Sequence, residues 1–237
     1  MGVWLGLWVS ISVAWCPVFA EEAANATPLT TTELVEKMVA MNQRRAEALR
    51  SYRVTRLYHA ENARTKKKAD LVARMTFHWP DEKKFSILSE NGSGILRKRV
   101  LRRAIESEQE AARKDIRRLS DIHPDNYDFR LMGSEQEAGR QLHVLEVSPR
   151  VNSKFAFRGR IWVDGQDSAI VRVEGRPAKN PSWWIKKVTI RQSYQKLGDF
   201  WLPARNESVS QVRIFGRSLF TINYQEYEVL ETRSLQP

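Results

Sequence analysis

The fold is set by residues 155–174, which read FAFRGRIWVDGQDSAIVRVE. Two alternating runs flank the dipeptide Asp164–Gly165. The apolar side chains of the first run share one parity: Phe155, Phe157, Ile161 and Val163. Those of the second run are Ala169, Val171 and Val173. Because successive side chains of a strand point to opposite faces, each run predicts a strand with one apolar and one wet face. The stretch therefore predicts an antiparallel hairpin of a sheet that is buried on one side.

The same alternation continues on both sides of this hairpin. From Tyr127 to Val229 short alternating runs are separated by turn residues, which we expect at Met132–Ser134, Leu197–Asp199 and Phe215–Arg217. Upstream, further strands are predicted around residues 52–58, 71–77 and 85–88, with Lys66, Lys67 and Lys68 in a hairpin loop. Strands at this spacing, without a βαβ rhythm, indicate an antiparallel meander, a barrel or a half-barrel.

Two segments have a helical period instead. Thr30 precedes Glu33 by three residues, a capping-box spacing, and predicts an amphipathic helix from Thr31 to about Arg50. A second helix is predicted at about 95–119. Leaving an apolar sheet face in water costs about 25 cal/mol per Å², so we expect these helices to cover it. The predicted class is α+β, mainly β: a curved antiparallel sheet or half-barrel covered by helices, in one domain over residues 30–237 with a basic helical insertion at about 95–119.

The N-terminus has the pattern of an export signal. Val3 to Phe19 is uncharged and apolar, and Val18–Phe19–Ala20 resembles a cleavage site, so residues 1–20 are predicted to be a signal peptide. Residues 21–29 are predicted to be a flexible segment. Because no Lys or Arg precedes the apolar run, an uncleaved membrane anchor is the alternative. The sole cysteine, Cys16, lies inside this run, so cleavage after Ala20 would leave neither a disulfide nor a thiolate metal site.

No catalytic motif is found. The four histidines have no metal-binding spacing: His59, His78, His123 and His143. Gly92–Ser93–Gly94 lacks the hydrolase elbow pattern and predicts a turn. We therefore expect a protein that is not an enzyme and has no metal and no cofactor. A small secreted hydrolase is a third hypothesis, in which Ser93 or His143 would matter.

The net charge is +11, which favours anionic partners. The densest basic patch is Arg97, Lys98, Arg99, Arg102 and Arg103. It is interpreted either as a surface for anionic lipid or a membrane protein, or as a solvated helix face with internal pairs such as Arg102–Glu106 and Glu110–Lys114. The export signal argues against nucleic acid. Trp183–Trp184 suits a cavity mouth or membrane interface, or alternatively a core anchor.

Two blocks of the sequence resemble a known family. Residues 159–164 (GRIWVD) with 170–174 (IVRVE), and residues 194–203 (YQKLGDFWLP), are similar to the bacterial outer-membrane lipoprotein-sorting proteins, the LolA-like carriers. The MucB/RseB sigma-factor regulators are structural relatives of that family. The resemblance implies a half-barrel lidded by helices, whose covered cavity takes acyl chains.

Pattern and resemblance together predict a periplasmic, monomeric, non-enzymatic carrier of lipid or lipoprotein acyl chains in outer-membrane lipoprotein sorting. An inner-membrane transporter or a membrane surface would be its partner. The predicted lipid-binding cavity residues are Leu71, Met75, Phe77, Phe157, Ile161, Val171, Ile190 and Ile222, and the predicted lid residues are Leu34, Met38 and Met41. For each of them a closed core is the alternative. A MucB/RseB-like envelope-stress regulator that binds a membrane protein is the alternative function.

Overall fold

A computed structural model describes residues 30–112, 121–180, 183 and 185–234. The predicted signal peptide (1–20) and the segment 21–29 lie outside the described residues. So do the end of the predicted insertion, residues 113–119, and Trp184.

Ten strands form one antiparallel sheet in the order β3-β2-β1-β10-β9-β8-β7-β6-β5-β4. Every connection except the one from β3 to β4 joins neighbours in the sheet, and β1 pairs with β10. The edges of the sheet are β3 and β4. The strands are β1 (Leu49–Asn62), β2 (Lys67–His78), β3 (Glu82–Gly92), β4 (Tyr127–Glu137), β5 (Arg140–Pro149), β6 (Phe157–Asp164), β7 (Ile170–Pro177), β8 (Ile185–Leu197), β9 (Phe200–Val212) and β10 (Gly216–Thr232).

Helix α1 (Thr31–Ala48) begins at the predicted capping box. The Glu33 amide donates to the Thr30 hydroxyl (3.2 Å), and the Thr30 amide donates to the Glu33 carboxylate (2.9 Å). These bonds satisfy two amides that a helix start leaves open. Leu34, Val35 and Met38 then form one buried stripe.

The connection from β3 to β4 joins the two edges of the sheet and is helical from Gly94 to Ala112. It comprises α2 (Gly94–Leu96), a π-helical turn (Arg97–Leu101) and α3 (Arg102–Ala112). Leu101 and Ile105 are buried against residues of β1, β2 and β10. The predicted second helix is therefore present as far as Ala112.

Each helix packs on its own part of the sheet. The α3 core contains Leu101, Ile105, Val54, Tyr58, Leu71, Met75, Ile222 and Tyr224. The α1 core contains Leu34, Val35, Met38, Tyr127, Leu145, Val147, Ile161, Val163 and Val173. The predicted class, a mainly β fold with a curved antiparallel sheet covered by helices, is confirmed.

Two sequence predictions about the strands are wrong, both because of β-bulges. The turn expected at Met132–Ser134 lies inside β4, where pairing with β5 shifts between Leu131 and Gly133. A second shift lets Trp162 pair with Arg172 and Val163 with Ile170, which leaves Val171 as an extra residue. A bulge of this kind redirects side chains, so Val171 does not share a face with Val173.

Among the described residues, no helix combines the length and apolar character that a membrane span requires.

Candidate functional site

The middle of the predicted cavity is filled by side chains. Leu71, Met75 and Ile222 are 0–4% exposed and pack in the α3 core. Leu101 and Ile105 of the helical connection occupy the space above them. These positions therefore fit the closed-core alternative.

The other predicted cavity and lid residues are divided among several environments. Ile161 is buried in the α1 core beneath Leu34 and Met38, with Phe157 packed against that core. Val171 instead packs with an outer cluster (Leu142, Val144 and Trp162) on the opposite face of the sheet. Ile190 and Met41 are half-buried and belong to no core cluster of the described residues.

An open groove of about 780 Å³ lies between the C-terminal half of α1 and the sheet. Of the predicted cavity residues, Phe77 lines it. Its apolar lining comprises Val39, Ala46, Leu49, Tyr52, Phe77, Trp79, Pro80, Ile122, Ile170 and Leu202. Polar residues also line it: Asn42, Gln43, Glu47, Asp121 and His123. This combination of apolar walls with a few polar groups is typical of ligand sites, whose volumes run from about 300 to 1,000 Å³.

The sequence of α1 explains why the groove is open here. In its first half, Leu34 and Met38 fill the space above the sheet. One and two turns further on, the groove-facing positions carry Asn42 and Ala46. A short amide and a methyl group cannot reach as far as leucine or methionine, so the second half of the helix stands over unfilled volume.

Aromatic rings form part of the groove wall. The Tyr52 ring lies 5.2 Å from the Phe77 ring and 5.9 Å from the Tyr227 ring, centroid to centroid. The Tyr227 hydroxyl donates to the Pro203 carbonyl (2.7 Å), which fixes its ring. Burial raises the pKa of the Tyr52 hydroxyl, the adjacent Glu108 adds to that rise, and Arg56 opposes it. Tyr52 therefore stays neutral and contributes an uncharged surface to the groove.

The mouth of the groove is amphipathic. Trp79 is 45% exposed, and the Arg50 guanidinium lies 4.0 Å from its ring centroid. On α1, the Gln43 amide donates to the Glu47 carboxylate (3.0 Å). Such a rim can hold a polar head while the apolar walls enclose a chain.

The two residues of the hydrolase hypothesis, Ser93 and His143, lie toward opposite edges of the sheet and do not form a pair. The Ser93 amide donates to the Lys68 carbonyl beside edge strand β3. His143 lies on β5, near the other edge, and its Nδ1 is 3.0 Å from the Ser134 hydroxyl. Within residues 30–112, 121–180, 183 and 185–234, no three carboxylates, imidazoles or thiols are grouped as metal ligands.

The predicted basic patch is partly neutralised. Arg97 and Arg102 both contact the Glu90 carboxylate, at 3.4 and 3.0 Å, so Arg102 does not use the predicted partner Glu106. Glu110 pairs with Lys154 (3.3 Å), whereas its predicted partner Lys114 lies outside the described residues. Lys98, Arg99 and Arg103 are exposed.

A buried ion pair beneath α3 was missed from sequence. Arg56, whose side chain is 4% exposed, contacts the Glu108 carboxylate and lies 4.9 Å from the Tyr224 ring. Burial by itself lowers the pKa of Arg56, but Glu108, with the Tyr224 and Tyr58 hydroxyls, raises it above the ordinary value. The sequence does contain an indication of this pair. Arg56 lies between Val54 and Tyr58 at the alternate positions of β1 that face the core.

Asp164, which the sequence places at the hairpin turn, anchors a second network. It is fully buried and accepts two bonds from the Arg140 guanidinium (2.5 and 2.8 Å). The amides of Gln166 and Asp167 also donate to it, at 3.0 and 2.6 Å. Arg45 of α1 donates to the Asp167 carbonyl, which ties the helix to this turn. Asp164 is thus fully occupied in holding the turn.

A family model described as a family of unknown function (DUF5686) matches residues 69–228. The chain belongs to this family. No curated protein matches the chain.

Several solved structures are similar to this member of the DUF5686 family. A domain described as an outer membrane lipoprotein-sorting protein, from Vibrio parahaemolyticus, is 13% identical with a TM-score of 0.44, over 84% of this chain and 93% of that one. A DUF1329 family protein from Desulfovibrio piger is 11% identical with a TM-score of 0.42, over 84% and 92%. A LolA superfamily protein from Nitrosomonas europaea is 11% identical with a TM-score of 0.38, over 86% and 96%.

The family resemblance expected from the sequence is thus found again among solved structures. At TM-scores below 0.5 these likenesses support no conclusion about what the chain binds. Its function has to be inferred from its own side chains.

Proposed function

We propose that the protein is a non-enzymatic carrier that binds an acyl chain of a lipid or lipoprotein in the groove beneath α1. The observation that carries this proposal is the groove itself, about 780 Å³ with ten apolar lining residues. Each methylene moved from water into such a lining contributes about 0.8 kcal/mol. A chain of ten methylenes therefore gains several kcal/mol after its ordering cost is deducted.

The proposal assigns different roles to the two halves of α1. Leu34 and Met38 anchor the helix in the α1 core and do not touch the ligand. Val39 and Ala46 line the ligand groove. The bound chain lies beside Phe77 and Ile170, and its polar head lies at the rim near Gln43 and His123.

The compartment is part of the same proposal. The uncharged apolar run before Ala20 directs the chain to the periplasm, where acyl chains must cross water between two membranes. A groove that shields one chain from water is suited to lipoprotein sorting or lipid transport. An inner-membrane transporter would donate the lipid.

Filling the groove is expected to abolish most of the binding. Ala46→Trp places an indole where the ligand chain would run and displaces about two methylenes, so we expect at least about a tenfold loss of affinity. The measurement is the titration of a fluorescent fatty acid into the purified protein. Native mass spectrometry of the same samples then counts the lipid that each variant retains.

The matched control is Ala40→Trp. Ala40 is exposed on the same helix and does not line the groove, so this variant should bind like the wild type. Thermal unfolding of both variants verifies that they fold. Equal binding by Ala46→Trp and the wild type, or a wild-type protein that takes up no fatty acid, would contradict the proposal.

A further inference from the structure

Three loops meet at one end of the sheet. The β1–β2 hairpin contacts the β9–β10 hairpin, because the Ala63 amide donates to the Arg217 carbonyl (3.0 Å). Arg64 also donates to the Ile214 carbonyl (2.8 Å). The β7–β8 loop joins them where Arg213 Nε donates to the Trp183 carbonyl (2.8 Å). We refer to residues 63–66, 178–180, 183 and 213–215, with the strand ends beside them, as the basic end.

Positive charge is concentrated at the basic end. Two clefts of about 220 and 580 Å³ adjoin there and share Asn180 and Lys186. Six cationic side chains line them: Arg158, Arg176, Lys179, Lys186, Lys187 and Arg213. The ion pairs between described residues include none of these six, in contrast to Arg97 and Arg102, which share Glu90.

Large apolar side chains project from the same loops. Trp183 is 68% exposed, Ile214 54% and Phe215 52%. Apolar side chains this exposed, next to a cluster of cations, mark an interaction surface. Nucleic acid would use the cations but has no need of an exposed isoleucine, whereas a bilayer uses both.

We propose that the basic end docks on the surface of an anionic phospholipid bilayer. The six cations contact lipid phosphates, and Trp183, Ile214 and Phe215 enter the boundary between head groups and acyl chains. Tryptophan is favoured at that depth because its ring is amphipathic. The surface is separate from the groove, and the proposal does not depend on the groove's ligand.

Docking in this way gives the molecule an orientation. The opposite end of the sheet carries exposed charges of both signs, among them Asp199, Glu231 and the Glu82–Lys84 pair (3.0 Å). The groove residues Trp79 and Pro80 follow the end of β2 on that side. Docking through the basic end therefore turns the groove mouth away from the membrane.

The test is co-sedimentation of the full chain with vesicles of phosphatidylcholine, with or without phosphatidylglycerol. Each basic residue near an anionic surface is worth about fivefold in partitioning. The triple variant Lys179→Glu, Lys186→Glu, Lys187→Glu should therefore bind anionic vesicles more than about 100-fold more weakly. The double variant Ile214→Ser, Phe215→Ser should lose binding to the same vesicles, by at least about tenfold.

The matched control reverses three other exposed cations: Lys37→Glu, Arg44→Glu and Lys84→Glu. It has the same net charge as the triple variant and the same N-terminal segment, and we expect it to retain most of the binding. Equal losses in the triple variant and this control would overturn the proposal. Equal binding of the wild type to neutral and anionic vesicles would also overturn it. A third contradicting result is a double variant that binds anionic vesicles like the wild type, together with tight binding of the wild type to an oligonucleotide or polyglutamate.

Discussion

Glu108→Ala is expected to lower the free energy of unfolding by about 3–5 kcal/mol, because it leaves a buried guanidinium without its counter-charge. Arg56 lies under α3 with 4% of its side chain exposed, between the rings of Tyr224 and Phe85 (4.9 and 5.3 Å). These rings attract the cation but cannot replace a carboxylate. Lys83, 3.9 Å from the same carboxylate, would lose a contact as well.

Urea unfolding of the wild type and the variant measures this change. Glu106→Ala is the control, since Glu106 is exposed on the same helix, and its effect should stay within about 0.5 kcal/mol. The double variant Arg56→Met, Glu108→Leu should recover much of the stability, because an apolar pair replaces a buried ion pair at little cost. A Glu108→Ala protein as stable as the Glu106→Ala control would show that Arg56 does not depend on this pair.

Asp164→Asn is expected to cost about 2–3 kcal/mol near neutral pH, because a neutral amide replaces a buried carboxylate that accepts charge-assisted bonds. The change keeps the shape of the side chain but removes the buried carboxylate from Arg140, which retains Asp167 (2.8 Å) as an acidic partner. The asparagine also puts an amide group where Arg140 donates two bonds. The turn between β6 and β7, and with it the contact from Arg45 of α1, should loosen.

The same site predicts the direction of the acid response. Burial raises the pKa of Asp164, but the bonds from Arg140 and from the amides of Asp167 and Gln166 outweigh it and lower the net pKa. A carboxylate whose folded pKa is lowered stabilises the fold above its unfolded pKa of about 3.9 and loses that contribution as pH falls through the folded value. Asp164→Asn should therefore be less stable near neutral pH and should lose less than the wild type on further acidification.

Unfolding measured from neutral pH to below about pH 4 tests both parts. The control is Asp128→Asn, whose carboxylate is 67% exposed and pairs with Arg150 at the surface. That change should cost less than about 1 kcal/mol. An Asp164→Asn protein whose stability changes with pH as steeply as that of the wild type would contradict the assignment.

Local pattern was enough to predict most of the fold. The alternation on each side of Asp164 predicted the β6–β7 hairpin, and the Thr30–Glu33 spacing predicted the start of α1. The alternation pattern gave the wrong structure at Gly133 and Val171. A bulge reverses which face of the sheet a side chain lies on, and the composition of the strand does not show it. Alternation alone cannot reveal an extra residue in one strand.

The site was less predictable, since it depends on what packs above each strand. Leu71 and Met75 have the inward parity that the sequence indicates, yet Leu101 packs against them in a closed core. The groove exists because α1 carries Ala46 where a larger residue would fill the space. The pairing of Arg102 with Glu90 joins two elements, so helix spacing pointed to the wrong carboxylate.

Photo-crosslinking with a fatty acid that carries a diazirine near its chain end tests the central claim most directly. After irradiation and proteolysis, mass spectrometry identifies the labelled residues. We predict labels on the groove segments of α1 and the β2–β3 turn, within 39–49 and 77–80, and their loss in the presence of excess unlabelled fatty acid. Labels confined to the α3 core around Leu71 and Met75, or labels that unlabelled fatty acid does not displace, would contradict a binding groove beneath α1.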